Sequence, residues 1–113
     1  MLIRKIKKKD EFSLIFNSGK FLKLNNMIIQ YFKNPKCTKE NRIRYGVIAS
    51  KKVGTAVKRN FAKRRLRSLS HIIKTHGQNN YDYVLVAKKS FVNTNFKSLL
   101  YELKSGLTNI KKI

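Results

Sequence analysis

Basic side chains recur at a helical spacing near the middle of the sequence. Arg59, Lys63 and Arg67 follow one another at intervals of four residues, which places them about 6 Å apart along one side of a helix. This rise is close to the phosphate spacing of one nucleic-acid strand, and Arg and Lys side chains bind phosphate oxygens. Asn60 and Arg64 project to the same side of the helix. The pattern predicts a surface that binds a nucleic-acid backbone with little base specificity.

The net charge supports a polyanionic partner. The chain has 113 residues, with 27 Lys and Arg against 5 Asp and Glu, so 27 − 5 gives a formal charge of +22. No acidic residue occurs between Glu40 and Asp82, although Lys and Arg recur throughout that stretch. A small folded protein with this much like charge repels itself, and a bound polyanion offsets the repulsion. The alternative interpretation is a solvated Lys-rich face in a protein of skewed composition.

The residues that protein-borne catalysis or a metal site would need are scattered. Asp10 and Glu11 are adjacent, so they point in different directions on a helix, and the other acids occur singly. His71 and His76 are five residues apart on a predicted helix and do not face each other. A nuclease needs a carboxylate cluster for metal ions or a general acid–base pair. We therefore predict no catalytic residues and no metal ligands on this chain.

Length and composition bound the class of protein. The length fits one domain over residues 1–113, and no apolar run approaches the roughly 20 residues that span a bilayer. The basic N-terminus lacks the apolar stretch of a signal peptide. Cys37 is the single cysteine, which excludes an internal disulfide and a multi-Cys zinc site. We expect a cytoplasmic protein with no membrane partner.

The N-terminal half predicts one helix followed by three strands. Asp10 is the expected N-cap of the helix, and Gly19 is the expected residue that ends it. Residues 21–24 and 27–32 predict two strands that meet at a short turn. Residues 42–52 alternate apolar and polar side chains and predict a third strand.

The C-terminal half predicts a long helix, a strand and a final helix. Thr55 is the expected N-cap of the long helix, and Gly77 is expected to end it after His76. Residues 81–88 predict a buried strand, and residues 93–110 carry an apolar stripe at helical spacing. The complete order is α-β-β-β-α-β-α, which predicts an α+β two-layer sandwich with helices covering a four-stranded sheet.

The long helix is predicted to be amphipathic. Projected at about 100° per residue, its cations occupy one side and its apolar residues the other. Lys58 and Arg65 fall on the apolar side, where their charged ends can reach solvent from its edges. The predicted apolar face consists of Val57, Phe61, Ala62, Leu66, Leu69, Ile72 and Ile73.

Several aromatic residues allow two interpretations. Phe12 and Phe16 share one side of the first predicted helix, and either pack into a core or form an aromatic edge on which unpaired bases stack. Tyr31 and Tyr45 on the predicted strands allow the same two interpretations. The sequence pattern leaves both open.

Residues 49–67 resemble the signature of the bacterial ribonuclease P protein subunit family. The family pattern reads Ser-Lys-Lys, a hydrophobic residue and Gly, then Ala-Val, Arg-Asn-Arg and Lys-Arg, and this chain matches it from Ser50 onward. Residues 6–19, 42–47 and 81–87 resemble the opening helix and two strands of the same family. The chain departs from the pattern at Phe61, which stands where the family usually has the last Arg of Arg-Asn-Arg.

The resemblance implies a subunit that binds the catalytic RNA of ribonuclease P and the single-stranded 5′ leader of precursor tRNA. In this family the RNA holds the catalytic Mg²⁺ ions and performs the hydrolysis, so the protein alone is expected to bind no ion and to need no obligate protein partner. The implied fold is similar to the second domain of the fifth small-subunit ribosomal protein. Its crossover between the third and fourth strands is a left-handed βαβ unit.

The resemblance also implies two groups of site residues. The residues expected to contact the catalytic RNA are Ser50, Lys51, Lys52, Arg59, Asn60, Lys63, Arg64 and Arg67. The residues expected to line the leader-binding cleft are Phe12, Phe16, Arg44 and Tyr31.

Two other functions explain part of the sequence. A ribosomal protein or a general RNA chaperone would account for the charge and the fold, but not for the complete motif. An independently catalytic nuclease would account for RNA binding, but it would need catalytic groups that the sequence does not bring together.

Overall fold

The computed structural model describes residues 2–6, 9–33 and 42–111. The polar loop predicted around Pro35 lies outside the described residues, as does Cys37. Among the described helices, none has the length and apolar character needed to cross a membrane.

The described residues include five strands, which form one mixed sheet. They are β1 (Leu2–Lys5), β2 (Lys20–Lys23), β3 (Met27–Lys33), β4 (Arg42–Ile48) and β5 (Tyr81–Ala87). The strand order is β1-β4-β5-β3-β2, in which β4 runs parallel to β1 and β5 and the remaining neighbours are antiparallel. The predicted α+β fold and the order of the predicted elements are confirmed. The expected strand count is corrected, because β1 adds a fifth strand at the edge beside β4.

Three helices cover this sheet: α1 (Lys9–Ser18), α2 (Ala56–His76) and α3 (Phe96–Lys111). The predicted ends of α2 are confirmed. The Thr55 hydroxyl accepts a hydrogen bond from the backbone N–H of Lys58 at 3.4 Å, and the N–H of Gly77 donates to the Ile73 carbonyl at 2.8 Å. These contacts satisfy backbone groups that a helix end otherwise leaves unpaired.

Helix α1 begins two residues earlier than predicted, since an N-cap at Asp10 would make Glu11 the first helical residue. Its first residue is Lys9, so Asp10 lies in the first turn rather than at the N-cap. A carboxylate in this position still interacts favourably with the positive end of the helix dipole. The predicted end is confirmed, because Gly19 follows the helix and its N–H donates to the Ile15 carbonyl at 2.8 Å.

Two predicted boundaries are wrong because short 3-10 helices replace regular structure there. Strand β4 ends at Ile48 and is followed by a 3-10 helix at Lys51–Val53, whose Val53 side chain is buried. Residues 89–93 form a second 3-10 helix, and α3 begins at Phe96 rather than at about residue 93. The Asn95 side chain accepts from the N–H of Ser98 at 2.8 Å, which explains why α3 begins only after it.

The two faces of the sheet are covered unequally. Helices α2 and α3 pack on one face and enclose the main core, to which Leu66, Leu69, Leu85 and Leu103 belong. Helix α1 packs on the opposite face and buries a smaller cluster around Ile15. One expected core residue, Val57, is 79 % exposed, because α2 buries no residue before Ala62. We call these the α2/α3 face and the α1 face.

Candidate nucleic-acid interface

The outer side of α2 presents the predicted cations together. Asn60, Arg64 and Arg67 are exposed, and Arg59 and Lys63 are partly buried at the flanks of the helix. None of the four cations forms an ion pair with a carboxylate within the described parts of the chain. The reason is local, because α2 contains no acidic residue. Their charge is therefore available to an external anion, and we call these five residues the α2 surface.

A tight turn continues this surface toward the sheet. Ser50, Lys51 and Lys52 are exposed in the turn between β4 and α2. The buried side chain of Val53 anchors the turn, and Gly54 adopts a φ of 141°, a conformation that L side chains rarely adopt. The turn thus places two lysines directly before the N-terminus of α2, whose dipole also attracts anions.

Phe61 is packed rather than exposed as an RNA ligand would be. It is partly buried, and the Arg65 guanidinium lies over its ring at 4.7 Å from the centroid. The same guanidinium lies 5.8 Å from the ring centroid of Phe96 and donates to the Thr94 carbonyl at 3.2 Å. Arg65 therefore ties α2 to the start of α3, which explains a cation on the apolar side of the helix.

Helix α1 leaves part of its sheet face uncovered. Cross-strand pairing places Lys23, Ile28, Val86 and Ile48 in one row across four strands, and the three apolar members of this row are only partly buried. Phe21 lies in the adjacent row and is 60 % exposed. We call these five residues the open sheet face.

The open sheet face combines stacking surface with positive charge. The Lys23 ammonium lies 5.7 Å from the centroid of the Phe21 ring. Exposed aromatic rings beside cations are the features that bind single-stranded nucleic acid. These residues were not predicted from the sequence, although Phe21 and Lys23 are two apart on an edge strand and therefore share a face.

The two phenylalanines of α1 have different environments: one is packed in a core, and the other is exposed. The Phe12 ring packs over Gly46 so closely that a Cβ at that glycine would lie 2.5 Å from it. Phe12 is partly buried and joins the cluster around Ile15. Phe16 is 49 % exposed and retains a ring surface for a ligand. Packing thus accounts for Phe12, whereas Phe16 remains available for binding.

Arg44 is held by two internal carboxylates. Its Nε donates to Asp82 Oδ1 at 2.9 Å and its Nη2 to Asp82 Oδ2 at 2.6 Å, and Nη1 pairs with Glu11 of α1. Asp82 is 1 % exposed and lies opposite Arg44 in the β4–β5 register. The arrangement clamps α1 onto the sheet and neutralises the cation, so the leader contact predicted for Arg44 stays a prediction.

Tyr31 does not lie beside the other predicted cleft residues. It pairs across the sheet with Tyr83 and packs against the core under α2 and α3, whereas Phe12 lies on the α1 face. The expectation that Tyr31 shares a cleft with Phe12 and Phe16 is therefore corrected. Its neighbour Phe32 occupies the α1 face instead, because successive strand residues point to opposite sides.

The described residues do not supply a protein-borne metal site. Within residues 2–6, 9–33 and 42–111, no three His, Cys, Asp or Glu side chains lie close enough together to hold an ion. The two histidine rings are engaged on α2: Nδ1 of His71 lies 2.6 Å from the Ser68 carbonyl oxygen, and Nδ1 of His76 lies 2.8 Å from the Thr75 hydroxyl. Glu102 instead accepts two hydrogen bonds from Asn26.

Comparisons of sequence with known proteins give consistent matches along most of the chain. The family model described as Ribonuclease P matches residues 3–111. A ribonuclease P protein component from Listeria monocytogenes is 33 % identical over 106 residues, which is 90 % of this chain and 87 % of the relative. The component from Streptococcus agalactiae is 33 % identical over 109 residues, which is 96 % of this chain and 92 % of the relative.

Comparisons of structure give the same result. The RNase P protein of Staphylococcus aureus superimposes with a TM-score of 0.79 at 25 % identity, covering 95 % of this chain and 94 % of that protein. The RNase P protein of Thermotoga maritima shares the fold, with a TM-score of 0.78 at 24 % identity over 93 % of this chain and 96 % of that protein.

Proposed function

The chain belongs to the ribonuclease P protein component family, and on that premise we propose which of its surfaces bind RNA. A member of this family is a subunit of ribonuclease P and acts with the RNA subunit in tRNA 5′ processing. The α2 surface, with Ser50, Lys51 and Lys52, binds the catalytic RNA. The open sheet face and Phe16 hold the 5′ leader of precursor tRNA.

The observation that carries this proposal is the set of cations on α2 that have no carboxylate partner in the described chain. Their spacing along one helix side matches a phosphate backbone, and the release of counterions from that backbone drives binding. The exposed Phe21 and Phe16 rings offer stacking surfaces that every base can use. The protein therefore contacts RNA without requiring a particular sequence.

In this proposal the RNA subunit performs the hydrolysis and the protein contributes binding. The described residues do not form a metal site, so Mg²⁺ is expected to be held mainly by the RNA subunit, where it would supply the charge stabilisation that hydrolysis needs. The protein contributes differential binding. The leader leaves after cleavage, so every contact to it favours substrate over product. The cations of the α2 surface also screen repulsion between the two RNAs.

Reconstitution tests the proposal. The protein is added to catalytic RNA at low Mg²⁺, and cleavage of precursor tRNA is measured for the wild type, for Arg59→Ala/Arg64→Ala and for Lys97→Ala/Lys104→Ala. Both variants lose two exposed or partly exposed cations, but Lys97 and Lys104 lie on α3. We expect the α2 variant to lose much of the stimulation and the α3 variant to retain it.

The same assay separates the other candidate functions. An RNA chaperone without enzyme context would give no specific stimulation at low Mg²⁺, and would contradict the proposal. Cleavage by the RNA-free protein that survives repurification would indicate an independently catalytic nuclease. We place the protein in the cytoplasm, with its RNA partners.

A further inference from the structure

A cavity of about 330 Å³ opens at one end of the sheet. It lies beside the C-terminal ends of α1, α2 and α3, to which Ser18, Gln78 and Ile110 belong or are adjacent. Its volume is at the lower end of the range of small-molecule sites. The lining residues that concern binding are Lys20, Tyr31, Lys33, Gln78, Tyr81 and Ile110. We call this the end cavity.

The strand register places a lysine beside a tyrosine twice along the wall of the end cavity. Lys20 of β2 pairs with Tyr31 of β3, and Lys33 of β3 pairs with Tyr81 of β5. Paired residues share a face, and so do residues two apart on one strand. Lys20, Tyr31, Lys33 and Tyr81 therefore lie on one side of the sheet, as two lysine–tyrosine pairs staggered across β2, β3 and β5. This side is the α2/α3 face, opposite the open sheet face.

The two tyrosines that line the end cavity are held in place by the main core. Tyr31 and Tyr81 are partly buried against it, and the Tyr81 ring stacks on buried Tyr83 at 6.1 Å with an angle of 26° between the planes. The Tyr83 hydroxyl accepts from the backbone N–H of Gln78 at 2.8 Å, which fixes the residue at the cavity rim. The cavity wall is therefore largely formed before any ligand binds.

The charges and polar groups of the end cavity suit an anion with a planar part. No acidic residue lines the cavity, and neither Lys20 nor Lys33 forms an ion pair in the described chain. The side-chain amide of Gln78 offers both a donor and an acceptor. Lysines bind phosphate, tyrosine rings stack on bases, and an amide can read a base edge.

We propose that the end cavity binds a single nucleotide, with its base against Tyr31 and Tyr81 and its phosphate held by Lys20 and Lys33. The site lies across the sheet from the leader-binding surface and is separate from the α2 surface. The nucleotide belongs either to an RNA strand or to the free pool. An RNA source rests on the proposed function, whereas a free nucleotide does not.

The test uses the isotope-labelled protein in NMR titrations. The probes are the four nucleoside 5′-monophosphates, inorganic phosphate and a single-stranded RNA hexanucleotide of mixed sequence. The site variant is Lys20→Ala/Lys33→Ala, and its matched control is Lys97→Ala/Lys104→Ala, which removes the same charge from α3. All four lysines are exposed, so both variants are expected to fold.

We expect a nucleotide or the hexanucleotide to shift the backbone amide signals of Lys20, Lys33, Gln78 and Tyr81. The site variant should weaken this binding about tenfold or more, because it loses charge-assisted contacts to phosphate, and the control variant should not. Shifts with a free monophosphate identify the free pool as a sufficient source. Shifts with the hexanucleotide alone identify an RNA strand as the source.

Three outcomes would overturn the assignment. In the first, no probe shifts the cavity signals. In the second, inorganic phosphate shifts them as strongly as a nucleotide does, which leaves the tyrosines without a role. In the third, the two lysine pairs weaken binding equally, which indicates diffuse attraction to a protein of charge +22. None of these results depends on catalytic RNA. The proposed nucleotide site can therefore be wrong while the reconstitution assay supports the proposed function, and it can be right while that assay contradicts the proposed function.

Discussion

Arginines in two regions of this protein have opposite environments. Arg44 on β4 is held by Asp82 and Glu11 within the sheet and α1. Arg59 and Arg64 on α2 have no carboxylate partner in the described chain. The residue type is the same, but the first cation is neutralised by the fold and the second is left for a ligand. The difference shows that a basic residue is available to an external anion only where the fold brings no carboxylate beside it.

The cause of this difference is where the few acids lie. The β4–β5 register brings Asp82 opposite Arg44, and the first turn of α1 adds Glu11. The sequence around α2 contains no acid, and none from another described element reaches it. The chain has 5 acidic residues, and two of them pair with Arg44. Neither of these two carboxylates offsets the positive charge of α2.

The largest effect is expected for Arg44→Ala. We expect the free energy of unfolding to fall by about 3–5 kcal/mol, because the substitution removes the cation from the buried carboxylate of Asp82. Urea unfolding measures the change. Arg64→Ala is the matched control and should change stability by less than about 0.5 kcal/mol. If Arg44→Ala keeps its stability but loses RNA affinity, Arg44 belongs with the α2 arginines and the contrast fails.

A smaller effect, on binding rather than stability, is expected for Arg59→Ala/Arg64→Ala. Loss of two phosphate contacts should weaken binding to catalytic RNA by about 2 kcal/mol, or roughly thirtyfold. The slope of log K against log salt should flatten by about two units, one for each contact. Filter binding over a salt series measures both quantities. An unchanged slope would mean that these side chains do not neutralise phosphates.

Phe16→Ala extends the comparison to α1. We expect affinity for precursor tRNA to fall by about 1–2 kcal/mol through lost base stacking, while affinity for mature tRNA stays the same. Leu14→Ala is the control on the same helix, since Leu14 is 47 % exposed against 49 % for Phe16. An equal loss for both RNAs would indicate a folding defect instead of a leader contact.

The smallest effect concerns Tyr83, a buried polar group whose role is structural. Burial raises its pKa from 10.0 to about 12. The protonated hydroxyl therefore stabilises the fold fully below pH 10, and this contribution is lost as the pH rises through 12. At pH 11 the loss is about 1 kcal/mol. Unfolding between pH 8 and pH 11 should be less pH-dependent in Tyr83→Phe than in the wild type. Tyr101→Phe, at an exposed position, should behave as the wild type does.

The elements with strong local signals could be predicted from the sequence. Helix α2 carries its own cap at Thr55 and its own stop at Gly77, and its cations share a side because helical spacing places them there. The boundaries around residues 49–53 and 89–95 could not be predicted, because 3-10 turns with buried Val53 and Phe91 replace regular structure. Strand β1 was missed because it is four residues long and forms only by pairing with distant β4.

The sequence by itself determined the charge of the protein, the helix that displays this charge and the family that the chain resembles. These follow from composition, from spacing within one helix and from a contiguous motif. Tertiary structure alone decided which arginine is neutralised, which face Tyr31 occupies and which part of the sheet stays uncovered. Each depends on register between strands distant in sequence, and a shift of one residue in a strand moves every side chain to the opposite face.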